Sequence, residues 1–300
     1  MILELAGFFI SIVFLDKTRE VLSFYEYVYQ KFLISSAQID AKMTVHTIED
    51  SFESLLDDID PSPEILVPTP RVTEWLNAGF KFRKEPNITP QTIAVRLLNG
   101  LLLYTPDCKE GNIYLSAEPT SNPYRPLFHL LWIFFAQVLG EFGACFVHAA
   151  GLGKDDNGYL FMGPPGGGKS TISSLCSGCK ILSDDSPILK ASNGSVRIFP
   201  SPIHQLPAEQ APGNVIAPFG IPLRGIYFII RDNVACLRSI SRSEALGAIL
   251  SHGIHYFSCL SPSARAKLFD IFLKLCHTIS TSYLHFQLNT RIFSLITRQG

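Results

Sequence analysis

The hydrophobic positions of this 300-residue chain change their spacing several times, and each change predicts an element. Residues 2–15 are almost continuously apolar and read as two buried strands. From about Lys17 to Leu33, Val21, Phe24, Tyr25, Val28 and Phe32 recur three and four apart, the spacing of one helical face. Met43 to Ile48 alternates like a half-buried strand, with His46 as an ordinary strand residue. An acidic patch from Glu49 to Asp60 then runs into the proline-bearing stretch Pro61 to Pro70, which reads as loop. Short strands are predicted over 79–83, 92–98, 101–104 and 113–115, with Asn99-Gly100 as a hairpin turn. After a loop to Pro126, an apolar helix is predicted over 127–140.

The second half has a different rhythm. Phe146 to Leu152 reads as a strand, Lys154 to Gly158 as a turn ending in Asn-Gly, and Tyr159 to Met162 as a returning strand. A short helix from Lys169 to Leu175, a strand ending at Asp184-Asp185, a turn at Asn193-Gly194 and a strand over 196–199 come next. A loop to Pro222 leads to a strong strand over 225–230, helices over 242–250 and 261–275, a strand over 283–288 and a last short helix. Two domains are expected, a strand-rich α+β domain over 1–118 and an α/β domain over 127–300. There is no internal repeat and no low-complexity segment.

Composition narrows the class. Hydrophobic residues make up 47% of the chain, enough for a substantial core. The formal net charge is −1, so no global basic field attracts nucleic acid or anionic lipid, and neither is expected as a partner. The first fifteen residues lack a basic start and carry Glu4 inside the apolar run, which favours buried strands over a signal peptide. The run Leu127 to Leu139 is shorter than the roughly 20 residues needed to cross a bilayer. Seven cysteines, at 108, 145, 176, 179, 236, 259 and 276, sit mostly in apolar stretches, as reduced core thiols do, so the expected compartment is the cytoplasm. Cys176 and Cys179 form a lone C-x-x-C at the expected end of a helix, which favours neither metal nor redox chemistry.

The candidate chemistry begins at Gly163. Gly163, Pro164, Pro165, Gly166, Gly167, Gly168, Lys169 and Ser170, followed by Thr171, fit the phosphate-loop (Walker A) pattern G-x-x-x-x-G-K-[ST]. Its glycines leave backbone N–H groups free to wrap a polyphosphate, its lysine reaches the outer phosphates, and its hydroxyl ligates a magnesium ion. The strand before it and the helix after it are the required context. Lys169 reads as a solvated charge beside the loop. About fifteen residues on, Asp184 and Asp185 end a strand where ligands gather in open α/β sheets. One acid suits Mg²⁺ and the other a nucleophile's proton, and adjacent strand positions leave open which does which.

With His148 in the hairpin, the phosphate loop and Ser183-Asp184-Asp185 together, the chain resembles the HPr kinase/phosphorylase family. More specifically, it is similar to the shorter HPr-kinase-like proteins found beside peptide natural-product pathways, including kinases that phosphorylate a serine of a lasso-peptide precursor. The resemblance covers about residues 127 to 295. It rests on Val147-His148-Ala149-Ala150, Gly163 to Thr171, Leu182 to Asp185, Pro200 to His204, and Pro222 to Phe228. The hairpin before the loop is shared with phosphoenolpyruvate carboxykinases. Thr171 stands where HPr kinases proper usually carry glutamate, and their glycine-rich C-terminal signature is absent, so phosphorylase activity and HPr as acceptor are not carried over.

The resemblance implies an HPr-kinase-like phosphate-loop core beside a smaller strand-rich domain. It also implies phosphoryl transfer from ATP, with Mg²⁺, to a hydroxyl, expected to be a serine of a peptide or small protein. Lys169 and the amides of Gly166 to Gly168 would neutralise the phosphates, Ser170 would hold Mg²⁺ with Asp184 or Asp185, and the other aspartate would accept the proton. His148 would orient that aspartate. A loose transition state calls for an arginine as well, with Arg224 the first candidate and Arg231 the second. His204 is a candidate nucleotide or substrate contact. The alternatives are a small-molecule kinase with the same residues, or a non-catalytic nucleotide-binding or precursor-recognition protein. Homo-oligomerisation is left open, and the N-terminal half is either a recognition surface for an extended peptide or a buttress for the core.

Overall fold

The computed structural model describes residues 1–15, 22, 25–26, 28–48, 64–66, 92–97, 100–116, 124–176, 178–192, 195–202, 220–257, 260–288 and 292–296. They form a mixed α/β protein with two sheets and few helices. The chain divides into two units, Met1–Glu141 with Ser258–Ser261, and Phe142–Phe257 with Pro262–Gly300.

In the first unit, Ile2–Leu5 (β1) and Phe8–Phe14 (β2) pair antiparallel through a tight turn at Ala6 and Gly7, both at positive φ. Part of the expected first helix lies outside the described residues, but 25, 26, 28 and 29 are helical and lead through a 3-10 turn into Leu33–Ile34 (β3). Ala41–Ile48 (β4), Glu64–Leu66 (β5), Ile93–Leu97 (β6), Gly100–Tyr104 (β7) and Glu110–Ser116 (β8) complete an eight-stranded sheet of order β3-β1-β2-β4-β8-β7-β6-β5. β5 lies in the stretch expected to be loop, and the strand expected over 79–83 falls outside the described residues. Leu97 pairs with Gly100, so Gly100 is already strand, while Asn99 of the expected hairpin turn lies outside the described residues. His46 bonds Asn112 (Nε2 to Oδ1, 3.0 Å) and stacks on Tyr114, which makes it a sheet residue.

The apolar helix is Tyr124–Glu141 (α1), with Pro126 in its first turn, where a missing N–H breaks no helical bond. It belongs to the first unit, although the sequence pattern places it at the start of the second domain. Packing decides this: α1 lies against β6, β7 and β8, with Phe134 edge-on to Tyr104. Leu127, Leu130, Leu131, Ile133, Phe134, Val138 and Leu139 are completely buried.

The second unit holds Ala144–Phe146 (β9), Ala149–Lys154 (β10), Asn157–Met162 (β11), Lys180–Ser183 (β12), Ile188–Ser192 (β13), Ser195–Phe199 (β14), Ile221–Arg231 (β15), Cys236–Ser239 (β16) and Ser280–Phe286 (β17). Their order is β12-β10-β11-β15-β14-β13-β9, with β17 also on β15 and β16 on β17. Among the described residues its helices are Lys169–Leu175 (α2), Arg242–His252 (α3), Pro262–Thr278 (α4) and Ile292–Ile296 (α5). α3 opens with a capping box in which Ser241 and Glu244 exchange side-chain and backbone bonds.

Strand direction gathers five strand ends at one edge of this sheet. β11 and β15 are parallel, as are β15 and β17, so the three strands end together. β10 is antiparallel to both β11 and β12, so β10 starts and β12 ends at that same edge. Beneath it, Phe161 stacks on Tyr227 within a core that includes Ile172 of α2, Leu284, Phe286 and Phe293.

Candidate functional site

The phosphate loop leaves β11 at Met162. Gly167 N donates to Pro164 O at 2.9 Å, closing a tight turn, and Gly166 and Gly168 have φ of 73° and 109°. Left-handed residues within such a turn build an anion-binding concavity. Gly168 is held to glycine twice over: beyond its φ, a Cβ there would lie 2.7 Å from the Phe286 ring and 3.3 Å from Arg231 Nε. Pro164, Pro165 and Ser170 are exposed, Gly163 and Thr171 half-buried.

Lys169 departs from expectation. It is only 8% exposed, not a solvated charge, because Nζ folds back to donate to Gly163 O at 2.9 Å and Pro164 O at 3.4 Å. Burial lowers its pKa, and the negative charge of Asp185 opposes that shift, so the lysine and Asp185 share one electrostatic environment.

The acid pair enters from β12. Ser183 Oγ accepts from the amides of Asp185 (3.3 Å) and Ser186 (2.8 Å), a side-chain-to-backbone turn that bends the chain as the strand ends. Both Asp184 and Asp185 are buried. Asp185 Oδ1 lies 3.4 Å from His148 Nε2, and Oδ2 accepts from the Ser186 hydroxyl at 3.1 Å. Burial pushes the Asp185 carboxyl up, but the bonds from His148 and Ser186 and the positive character of the facing histidines outweigh it, and the net pKa is lowered.

His148 is available because β9 and β10 are separate strands with a break at Val147 and His148, where the apolar pattern predicts one strand from Phe146 to Leu152. At the break, three successive amides bond to three different places: Val147 N to Pro187 O, His148 N to Gly253 O and Ala149 N to Asp185 O. Val147 also bridges Ile254. The turn after α3 is thereby joined to the His148 strand, and Gly253 allows it, because a Cβ there would lie 2.6 Å from Ile249 O and would clash with Met162. This closure brings in His255, whose ring centroid is 4.8 Å from that of His148 and whose Nε2 is 2.9 Å from Ser186 Oγ. Neither Ser186 nor His255 stands in a motif; only the return of a distant turn reveals them.

The two arginines part company. Arg224 is exposed and donates from Nε to Asn157 Oδ1 at 3.0 Å, at the hairpin end of the sheet. Because β11 and β15 are parallel, Arg224 aligns with the start of β11, while the phosphate loop extends from its end. Arg231 is seven residues further on, roughly 20 Å at about 3.3 Å per residue, and its Nη2 donates to Thr171 Oγ1 at 3.3 Å. Arg231, the second candidate, is thus the arginine beside the loop, and Arg224, the first, stands at the opposite end of the strand. Next to it, Asp232 Oδ2 and His285 Nδ1 are 2.7 Å apart and tie the ends of β15 and β17; the His285 bond, chiefly, lowers the Asp232 pKa. His204 lies outside the described residues.

Six cysteines among the described residues carry thiols outside any disulfide. Cys176 and Cys179 are hydrogen-bonded to each other past the far end of α2, away from the loop, which raises the pKa of Cys176 and lowers that of Cys179. Among the described residues no three His, Cys, Asp or Glu side chains gather as a metal-binding group. Two carboxylates and a serine hydroxyl still fit Mg²⁺, which binds through one or two protein carboxylates and completes its shell with substrate phosphates and water. Compared with known proteins, the chain matches no family model and no curated protein.

Proposed function

We propose that the protein is an ATP-dependent kinase of the HPr-kinase-like kind, acting in the cytoplasm, which transfers the γ-phosphoryl group to a serine hydroxyl of a peptide or small protein. The observation that carries this reading is the convergence of Lys169, Asp185 and His148 at one sheet edge. Nucleotide binding alone needs the lysine; it has no use for a buried, ionised carboxylate held by a histidine and facing that lysine.

In this reading the loop amides and Lys169 bind the phosphates, and Ser170 with Asp184 would hold Mg²⁺. When bound, the ion supplies charge neutralisation on the phosphate oxygens. Asp185 takes the serine proton as the serine oxygen bonds to the γ-phosphorus; the bond to the β–γ bridging oxygen breaks, and ADP leaves. The lowered pKa keeps Asp185 ionised at neutral pH, as a proton acceptor must be. His148 fixes one of its oxygens, and Arg231 meets the charge spread over the transferred group.

The test is product identification with γ-labelled ATP and serine-containing peptides. Label on serine is expected from the native protein. Asp185→Asn should lower turnover by on the order of 10²- to 10⁴-fold at nearly constant ATP affinity, and Asp184→Asn should raise the Mg²⁺ requirement. Label on a metabolite would transfer the roles to a small-molecule kinase. A protein that binds ATP but labels no acceptor would sink the reading.

A further inference from the structure

Two more polar groups, Ser186 and His255, stand behind Asp185 at the same sheet edge. Ser186 is completely buried, and its hydroxyl donates to Asp185 Oδ2 while its oxygen lies 2.9 Å from His255 Nε2. A hydroxyl carries one proton. With that proton on Asp185, the Ser186 oxygen is an acceptor at its other contact, so Nε2 of His255 must bear hydrogen. The groups facing the ring are His148, Lys169, Ser186, Tyr256 and Asp185, the last through both its carboxylate and its backbone, which also bonds the ring. Burial first, then repulsion from His148 and Lys169, pushes His255 down to about 4 against the pull of Asp185. Of the two ring nitrogens, Nε2 is the one at Ser186 and serves as its donor.

We propose that His255 is a positioning residue: as the Nε2–H tautomer it donates to Ser186, turns the single Ser186 proton onto Asp185 Oδ2, and leaves Oδ1, the oxygen beside His148, to receive the acceptor's proton. The consequence for turnover rests on the phosphoryl-transfer reading; the direction of the relay does not. The framework is rigid enough to hold it, because the His255 turn is bonded to the His148 strand through Gly253 O and the Val147–Ile254 bridge.

The relay is read directly by nitrogen-15 NMR of the full-length protein labelled at histidine. His255 should show a proton on Nε2, and Ser186→Ala should shift that resonance. A proton on Nδ1 with Nε2 bare would overturn the proposal, since Ser186 would then donate to His255 instead of Asp185. In turnover, Ser186→Ala and His255→Leu should each lower kcat about tenfold or more without raising the KM for ATP. The double variant should be no worse than the poorer single, because both act through one bond. His255→Gln, which keeps a donor near the Nε2 position, should recover most of the loss. Additive losses, or a glutamine variant as poor as leucine, would also overturn it. If Asp185→Asn leaves transfer untouched, the kinase mechanism fails while the NMR experiment still decides the relay.

Discussion

Arg224 and Arg231 lie on one strand and differ in what surrounds them. The first bonds Asn157 at the hairpin end, and the second bonds Thr171 at the loop. Arg231→Ala is accordingly expected to lower turnover by at least tenfold, and Arg224→Ala to leave it within error in steady-state assays; the reverse order would return the role to Arg224. His255 makes a prediction about pH. Its folded pKa is about 4 against 6.5 for an ordinary histidine, so between those values the unfolded chain holds a proton that the folded ring refuses. Its stabilising contribution is complete above pH 6.5 and declines as pH falls toward 4, whereas Asp185, held low, acts below 3.8. Thermal melting from pH 7 to 4 should show a shallower decline for His255→Gln than for the native chain, and parallel declines would contradict the assignment. At this scale spacing along the chain singles out Lys169, Ser170, Asp184 and Asp185, and His148 is legible only through the resemblance; the structure brings Lys169, Asp185 and His148 together. His255 and Ser186 were not legible, because each acquires meaning only through a contact made 69 residues away.

The phosphate loop is the element most fully written in local sequence, since glycine is required by backbone conformation and close approach together. Gly168→Ala would face an unfavourable φ and the Phe286 ring, so it should cost roughly 1–3 kcal/mol in thermal unfolding and displace the lysine beside it. An unchanged melting temperature would show that the loop relaxes freely. For the hairpin before the loop, the sequence pattern predicts a turn over Lys154 to Gly158 ending in Asn-Gly. The turn is narrower: Asp155 and Asp156, both at positive φ, make it, and Asn157 and Gly158 are already strand, paired to Lys154 and Gly153. Aspartate tolerates the left-handed region well enough to hold a two-residue turn without glycine. Likewise β15 runs from Ile221, earlier than its apolar pattern indicates, because Pro222 pairs at its start with Arg197. The break at His148 escapes the pattern altogether, since Val147 and His148 have strand-like character and only their backbone partners divide β9 from β10.

Over the whole chain, apolar periodicity locates the long helix but not its allegiance. A helix as apolar as α1 can cover either neighbour, and the buried contacts with β6, β7 and β8 assign it to the first unit. No helix among the described residues is long and apolar enough to cross a membrane. In the first unit the two edge strands, β3 and β5, are two and three residues long, which offers little main chain for an added peptide strand and weakens edge addition as the way an acceptor would be held. The chemistry proposed for the protein is confined to the second unit, and its premise is that the loop binds a nucleotide through Lys169. Titration calorimetry with MgATP tests this most directly. The native protein and Asp185→Asn are expected to bind with similar affinity and Lys169→Ala at least tenfold more weakly, whereas no binding by the native protein, or equal binding by Lys169→Ala, would contradict the account.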